Sequence, residues 1–221
     1  MIDTGTASNY KRLVTCLAEL GLNPRDIHLI ILTHEHFDHI GATAPFSNTA
    51  VIAAHPLAAN KIELHDEFVV LAKYLDVEAR TIRADIWLNE NSLIDMGNYR
   101  LQVLHTPGHC SGCICLYEPN HKFMFTGDTV LAGGVLPGIM GSGNISDYIK
   151  SLQKLNSLKL DEFYPGHGEI SKNPSEDLTR ALENTRSLLL ESQTLFDLLD
   201  TREAFQLYFS ANKKMLPGKP R

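Results

Sequence analysis

No stretch of this sequence is apolar for long enough to cross a bilayer. The longest runs, such as Ile27 to Leu32, are a few residues, whereas a spanning helix needs about 20. A basic region followed by an apolar stretch, the mark of a secretory leader, is missing from Met1-Ile2-Asp3-Thr4-Gly5. There is no basic stripe, and the formal net charge of -6 gives no electrostatic footing on nucleic acid or an anionic membrane. Cysteines are few (Cys16, Cys110, Cys113 and Cys115), and they do not read as a disulfide framework. The expected compartment is therefore the reducing cytoplasm. Internal repeats of short period and low-complexity tracts are also lacking. What remains is the composition of an ordinary globular protein, 43% hydrophobic and 21% charged. Its 221 residues suffice for a sizeable core in one domain or at most two.

Apolar periodicity and turn residues place the elements. Met1 to Gly5 reads as the end of a strand. A helix follows from Ser8 or Asn9 to about Leu20, with Leu13, Leu17 and Leu20 on one face and Gly21 as its stop. Ile27 to Leu32 and Ala50 to Ala54 read as strands, with a short helix over Gly41 to Phe46 between them. Pro56 to Leu75 is largely helical in pattern, with Leu64, Phe68, Leu71 and Leu75 sharing a face. From Thr81 to Val130 the pattern changes to short strands, including a hairpin of Cys113 to Tyr117 with Phe123 to Phe125. Val130 to Gly143 is a glycine-rich loop. Ser146 or Asp147 is expected to cap a helix through Leu158. Leu160 to Tyr164 is a strand, and two helices follow from about Pro174. Helices and strands thus fall in two similar successions, one on either side of residue 80.

The chemistry is concentrated in Thr33-His34-Glu35-His36-Phe37-Asp38-His39-Ile40-Gly41. Positions 34 to 39 hold three imidazoles and two carboxylates, directly after an apolar strand. Titratable groups at the end of a buried strand are costly unless compensated, and a metal is the usual compensator for histidine with carboxylate. A solvated polar loop is the competing reading, and such ligand density argues against it. In an extended segment His34 and His36 point the same way. A following helical turn would send Asp38 and His39 in another direction, so one segment could feed two adjacent metal positions. Three further polar turns follow apolar strands: His105-Thr106-Pro107-Gly108-His109, Phe125-Thr126-Gly127-Asp128 and Tyr164-Pro165-Gly166-His167-Gly168. Glycine beside each polar residue permits a sharp turn and close backbone approach.

In these motifs, taken in order, the chain resembles the metallo-β-lactamase superfamily. The His-x-His-x-Asp-His element matches His34, His36, Asp38 and His39. The histidine of Thr-Pro-Gly-His matches His109, the aspartate of Thr-Gly-Asp matches Asp128, and the last histidine matches His167. The resemblance implies that His34, His36 and His109 hold one metal. Asp38, His39 and His167 would hold a second, with Asp128 between them. It implies an α/β fold, a four-layer αββα sandwich, spanning residues 1–173, with 174–221 as a helical extension packed on the same domain. Asp3 matches an early aspartate that supports the metal loop from behind. The implied cofactors are two divalent ions, Zn(II) first, with Fe or Mn as alternatives.

The resemblance also sets an expectation for the start of the chain. Members of the family usually carry several strands before the Asp-Thr-Gly element, here Asp3-Thr4-Gly5. A misassigned start codon, a shortened paralogue or completion by another chain would each account for the difference, and the first is favoured. The first sheet is then expected to lack N-terminal strands and to expose apolar surface and an unpaired edge.

The expected activity is hydrolysis of a small-molecule ester-type bond (a thioester, a lactone or a related ester) by a metal-held hydroxide, with Asp38 as the catalytic residue orienting it. A persulfide dioxygenase is one alternative, since Gly108-His109-Cys110-Ser111-Gly112-Cys113 fits a Gly-His-x-x-Gly-Cys pattern. That group's later Arg-Thr-Asp element is absent, however. A non-catalytic truncated paralogue that keeps its metal site is another. The expected partner is a small-molecule substrate, without nucleic acid or membrane, and a homo-oligomer is left open. Cys110 is read as a small buried thiol. His28, His65 and His121 are read as surface residues, His55 as core or loop packing, and Tyr164 as a packed tyrosine by default. Phe196, Phe205, Leu207, Tyr208 and Phe209 are read as a cover for the pocket or the sandwich, or as a dimer contact.

Overall fold

The structure, a computed structural model, describes residues 1–71 and 82–198, the side chains of 192–198 excepted. In chain order the elements are helix α1 (Tyr10–Glu19), strand β1 (Leu29–Leu32), the one-turn helix α2 (Phe37–Ile40), β2 (Val51–Ala54), α3 (Pro56–Glu63) and α4 (Glu67–Val70). There follow β3 (Ile86–Trp87), β4 (Leu93–Asp95), β5 (Arg100–His105), β6 (Ile114–Glu118), β7 (Phe123–Gly127), α5 (Ile145–Asn156), β8 (Glu162–Pro165) and α6 (Pro174–Leu198). β1, β2 and β3 form a parallel sheet in that order. β4 to β8 form a second sheet in sequence order, antiparallel until β8 joins β7 in parallel.

Side-chain alternation makes the layers. Ile30 and Leu32 point outward from β1 into a core with Leu17 of α1, Phe46, and Ala58 and Ile62 of α3. Ile31, between them, points the other way and meets Ala53, Leu101, Val103, Ile114 and Leu116, which fill the space between the sheets. On the far face of the second sheet, Leu104, Cys115, Tyr117 and Phe163 pack under Tyr148, Leu152 and Leu155 of α5 and Leu178, Ala181 and Leu182 of α6. Strands buried on both faces read as continuous apolar runs, which is why β1 does not alternate in sequence. The result is the expected four-layer αββα sandwich.

At the outer edge of the first sheet, Ile2 pairs in parallel with Ile31 as an isolated bridge. The Ile31 amide donates to the Met1 carbonyl at 3.0 Å, and the Asp3 amide donates to the Ile31 carbonyl at 2.9 Å. Beyond this edge an open groove of about 880 Å³ runs between Ile2, Leu29 and Ile31 on one side and Tyr99, Phe123 and Phe125 on the other.

Two expectations are corrected. The helical face of Leu64, Phe68 and Leu71 does not form: α3 stops at Glu63, α4 spans only Glu67–Val70, and Leu64 and Phe68 are 80% and 74% exposed. The backbone turns left-handed at His65 and Leu71, which breaks the 3.6-residue repeat. Leu75 lies outside the described residues. Helix α5 is capped not by Ser146 or Asp147 but by Asn144, whose side-chain oxygen accepts from the Asp147 amide at 2.8 Å. Of the C-terminal expectations, one helix is described from Pro174. The side chain of Phe196 and all of residues 205–209 lie outside what is described.

Leu152 is fully buried where α5 meets the second sheet and α6. Leu152→Ala is expected to cost about 2–5 kcal/mol, read as a lower urea midpoint at unchanged slope. A loss below about 1 kcal/mol would mean that this layer is not packed as described.

Candidate metal centre

Each of the seven residues picked out as ligands lies where a strand has just ended. His36, the N-cap of α2, is extended. His34 Nε2 meets His36 Nδ1 while Glu35 reaches Lys61, so His34 and His36 face one way and Glu35 the other. The turn of α2 then redirects Asp38 and His39. The bend after β5 supplies His109, Asp128 follows β7 directly, and His167 follows β8. Gly127 makes the close approach possible. Its φ is +48°, and a Cβ there would lie 2.6 Å from Thr33 Oγ1, so only glycine lets the end of β7 meet the end of β1.

The seven side chains converge in three overlapping groups: His34, His36 and His109; His34, His39 and Asp128; and Asp38, His39 and His167. Within each, the ligand atoms lie within 4.8 Å of one another. His36 Nδ1 is 3.0 Å from both His34 Nε2 and His109 Nε2. His39 Nε2 is 3.2 Å from His167 Nε2 and 3.4 Å from Asp128 Oδ1. Asp128 Oδ2 is 3.6 Å from both His109 Nε2 and His167 Nε2, and Asp38 Oδ2 is 3.1 Å from His167 Nε2. Two nitrogens on one tetrahedral zinc ion are about 3.3 Å apart, so these spacings are close to those of ligand atoms sharing an ion.

The second ring nitrogens of three of the histidines face outward to fixed partners. His39 Nδ1 is 2.7 Å from Asp3 Oδ2, His109 Nδ1 is 2.8 Å from the Gly138 carbonyl, and His34 Nδ1 is 3.1 Å from Thr33 Oγ1. Such contacts set the tautomer and aim the other nitrogen inward. Asp3 carries the largest share. Its carboxylate also accepts from the Thr33 amide and hydroxyl, each at 2.7 Å, and its own backbone is left-handed at φ 52°. A strained non-glycine residue held by three hydrogen bonds is the pattern of a functional site.

Burial divides the centre. His34, His36 and His109 are at most 3% exposed, whereas the side chains of Asp38 and His167 are 28% and 47% exposed. Burial, then the neighbouring imidazoles, pushes His34 well below the usual histidine range. His36 is lowered to about 4 by burial and His109, and His109 is lowered mainly by burial. His39 goes the other way: burial opposes its charge, but Asp3 and Asp128 together outweigh that and raise it well above 6.5. Asp128 is held below its usual range because His39, His109 and His167 outweigh its burial.

Residues outside the cluster bear out the quieter expectations. His28, His65 and His121 are exposed. His55 is buried, caps α3 and stacks on His105 with ring centroids 3.9 Å apart. Tyr164 donates to Glu162 and packs on Phe125. Cys110 is fully buried with its sulfur 3.2 Å from that of Cys113, and burial pushes its thiol well up. Sequence reasoning did not single out the Gly138 carbonyl, Lys61 or Ser142. No local motif announces contacts between residues so far apart in the chain.

The sequence model described as the Metallo-beta-lactamase superfamily matches residues 1–167. The chain is similar to the acyl-coenzyme A thioesterase MBLAC2 of Gallus gallus, 34% identical over 188 residues, which is 76% of this chain and 67% of the thioesterase. It is similar to the hydroxyacylglutathione hydrolase of Pelagibacter ubique (strain HTCC1062), 30% identical over 156 residues, 69% of this chain and 57% of the hydrolase. The chain thus spans no more than about two thirds of either enzyme's length. Among solved structures, TTHA1623 in a di-iron-bound form matches with a TM-score of 0.65 at 30% identity, covering 79% of this chain and 84% of that one.

The depressed histidines give the metal-free protein a defined acid limb. A histidine whose pKa falls on folding contributes stability in full above 6.5 and loses it as pH drops, for His36 toward about 4. His39, raised on folding, gains its contribution as pH falls toward 6.5 and is nearly level below that, so it leaves the window from 6.5 to 4 to the lowered groups. The melting temperature of chelator-treated protein should fall from pH 6.5 to 4, and His36→Gln should flatten that slope. An equal slope in the variant would refute the assignment.

Proposed function

The chain belongs to the metallo-beta-lactamase superfamily, and we propose that it is a metal-dependent hydrolase of a thioester, with lactones and related esters as the wider class. The observation that carries this reading is the convergence of five imidazole nitrogens and two carboxylates at 3.0 to 3.6 Å, with Asp38 at the open side. The thioester preference is supported by the activities for which the two similar enzymes are named.

The donor set fits divalent ions. It consists of imidazole nitrogen and carboxylate oxygen without thiolate, which suits Zn(II), Fe(II) or Mn(II). His34, His36 and His109 would hold one ion, Asp38, His39 and His167 a second, with Asp128 between them. When bound, such ions polarise a carbonyl oxygen and lower the pKa of a water.

The chain's own residues do the rest. Asp3 holds the His39 ring in place through Nδ1, and the Gly138 carbonyl does the same for His109. The buried histidine group excludes solvent on one side. Asp38, partly exposed beside His167, would orient a water and take its proton with the carboxylate oxygen not turned to His167. The substrate carbonyl then approaches from the open side, where Asp38 and His167 meet solvent. The compartment is proposed to be the cytoplasm, and among the described residues no helix is long and apolar enough to cross a membrane.

Exhaustive chelation should abolish hydrolysis of an acyl-coenzyme A or acyl-glutathione thioester, and Zn(II), Mn(II) or Fe(II) should restore it. Asp38→Asn should lower kcat about 10²–10⁴-fold. Protein that binds metal stoichiometrically yet turns over no ester, thioester or lactone would sink the proposal.

A further inference from the structure

Glu35 lies between His34 and His36, is 0% exposed, and turns its carboxylate away from the imidazole cluster. Its Oε1 accepts from Lys61 Nζ at 2.9 Å and from Ser142 Oγ at 3.1 Å. Lys61 also donates to Ser111 Oγ, and the Ser111 amide donates to Ser142 Oγ at 3.0 Å. The four residues close a ring. They come from four segments: the loop after β1, helix α3, the turn that carries His109, and the glycine-rich loop before α5. The last two are joined again where the Gly138 carbonyl holds His109 Nδ1 and the Met140 amide donates to the His109 carbonyl at 2.8 Å. Glu35 Oε2 faces Gly112, where a Cβ would lie 2.2 Å from it.

A buried ion pair is a poor device for stability alone, because apolar residues of similar size often serve as well. Placed here, it fixes where one loop sits relative to another. We propose that Glu35 and Lys61 are a positioning pair that sets the separation of His36 from His109 and so tunes the affinity of the His34, His36 and His109 group for a divalent ion. The inference rests on the reading that this group holds a metal. Glu35 touches neither substrate nor ion; it acts through the histidines on either side of it and through the His109 turn.

The test is Zn(II) affinity, measured on the full chain by competition with a chromophoric chelator, beside the melting temperature of each metal-free form. Glu35→Gln and Lys61→Met should each weaken the tighter Zn(II) site about 10- to 100-fold, the usual effect of losing an outer partner of a ligand. The double variant should lose no more than Glu35→Gln alone, because the two residues act as one unit. A merely structural role would lower the melting temperature and leave affinity unchanged. Folded Glu35→Gln within twofold of wild type, or losses that add in the double variant, would overturn the proposal. If Glu35→Gln does not fold, Ser142→Ala carries the test, with a several-fold loss expected and an unchanged affinity overturning it. Wild-type protein that takes up no Zn(II) would overturn the reading of the site itself, a distinct result.

Discussion

Imidazole nitrogens pointed at one another across 3.0 Å form an arrangement that the rest of this molecule exists to hold. With neither facing nitrogen protonated, lone pairs oppose; with a proton on each, N–H dipoles do. Only one proton between them makes a hydrogen bond, in a pocket whose inner wall is closed to solvent. The chain resists both outcomes by fixing the far side of the rings. Asp3, Thr33 and the Gly138 carbonyl each take a second nitrogen and so dictate which one faces inward. Among the described residues His36 Nε2 has no such partner, so the set is held through the other three buried rings.

Two sheets packed face to face are well suited to this task. Loops leaving β1, β5, β7 and β8 meet at one edge of the sandwich, so four short segments can each bring one or more polar side chains to a common point. The regular ladder alone would not align them. β7 and β8 change register between Phe125 and Gly127, and it is past this irregularity that Asp128 and Gly166-His167 come together. The rigid layers supply the precision, and the turns supply the chemistry.

Much of this was legible in residue order. Period-two alternation separates Glu35 from His34 and His36, and the one-turn helix that redirects Asp38 and His39 follows from the same nine residues. Glycines beside His109, Asp128 and His167 mark the turns. The face drawn through Leu64, Phe68 and Leu71 was misleading because two non-glycine residues, His65 and Leu71, adopt left-handed backbone, which composition does not reveal. Likewise Asn144, not the serine or aspartate after it, caps α5, since all three are acceptable caps and only the path of the chain decides between them. The partners of Glu35 were out of reach for a different reason. Lys61 and Ser142 are 26 and 107 residues away in the chain, and nothing local connects them.

The unequal burial of the two halves of the centre bears on exchange as well as on catalysis. An ion held among His34, His36 and His109 would be walled in by residues at most 3% exposed, so its escape would require the surrounding loops to open. An ion leaning on His167 would have solvent beside it and could depart without any such motion. Two such positions would empty on different clocks, the outer one following the composition of the surrounding medium more closely than the inner.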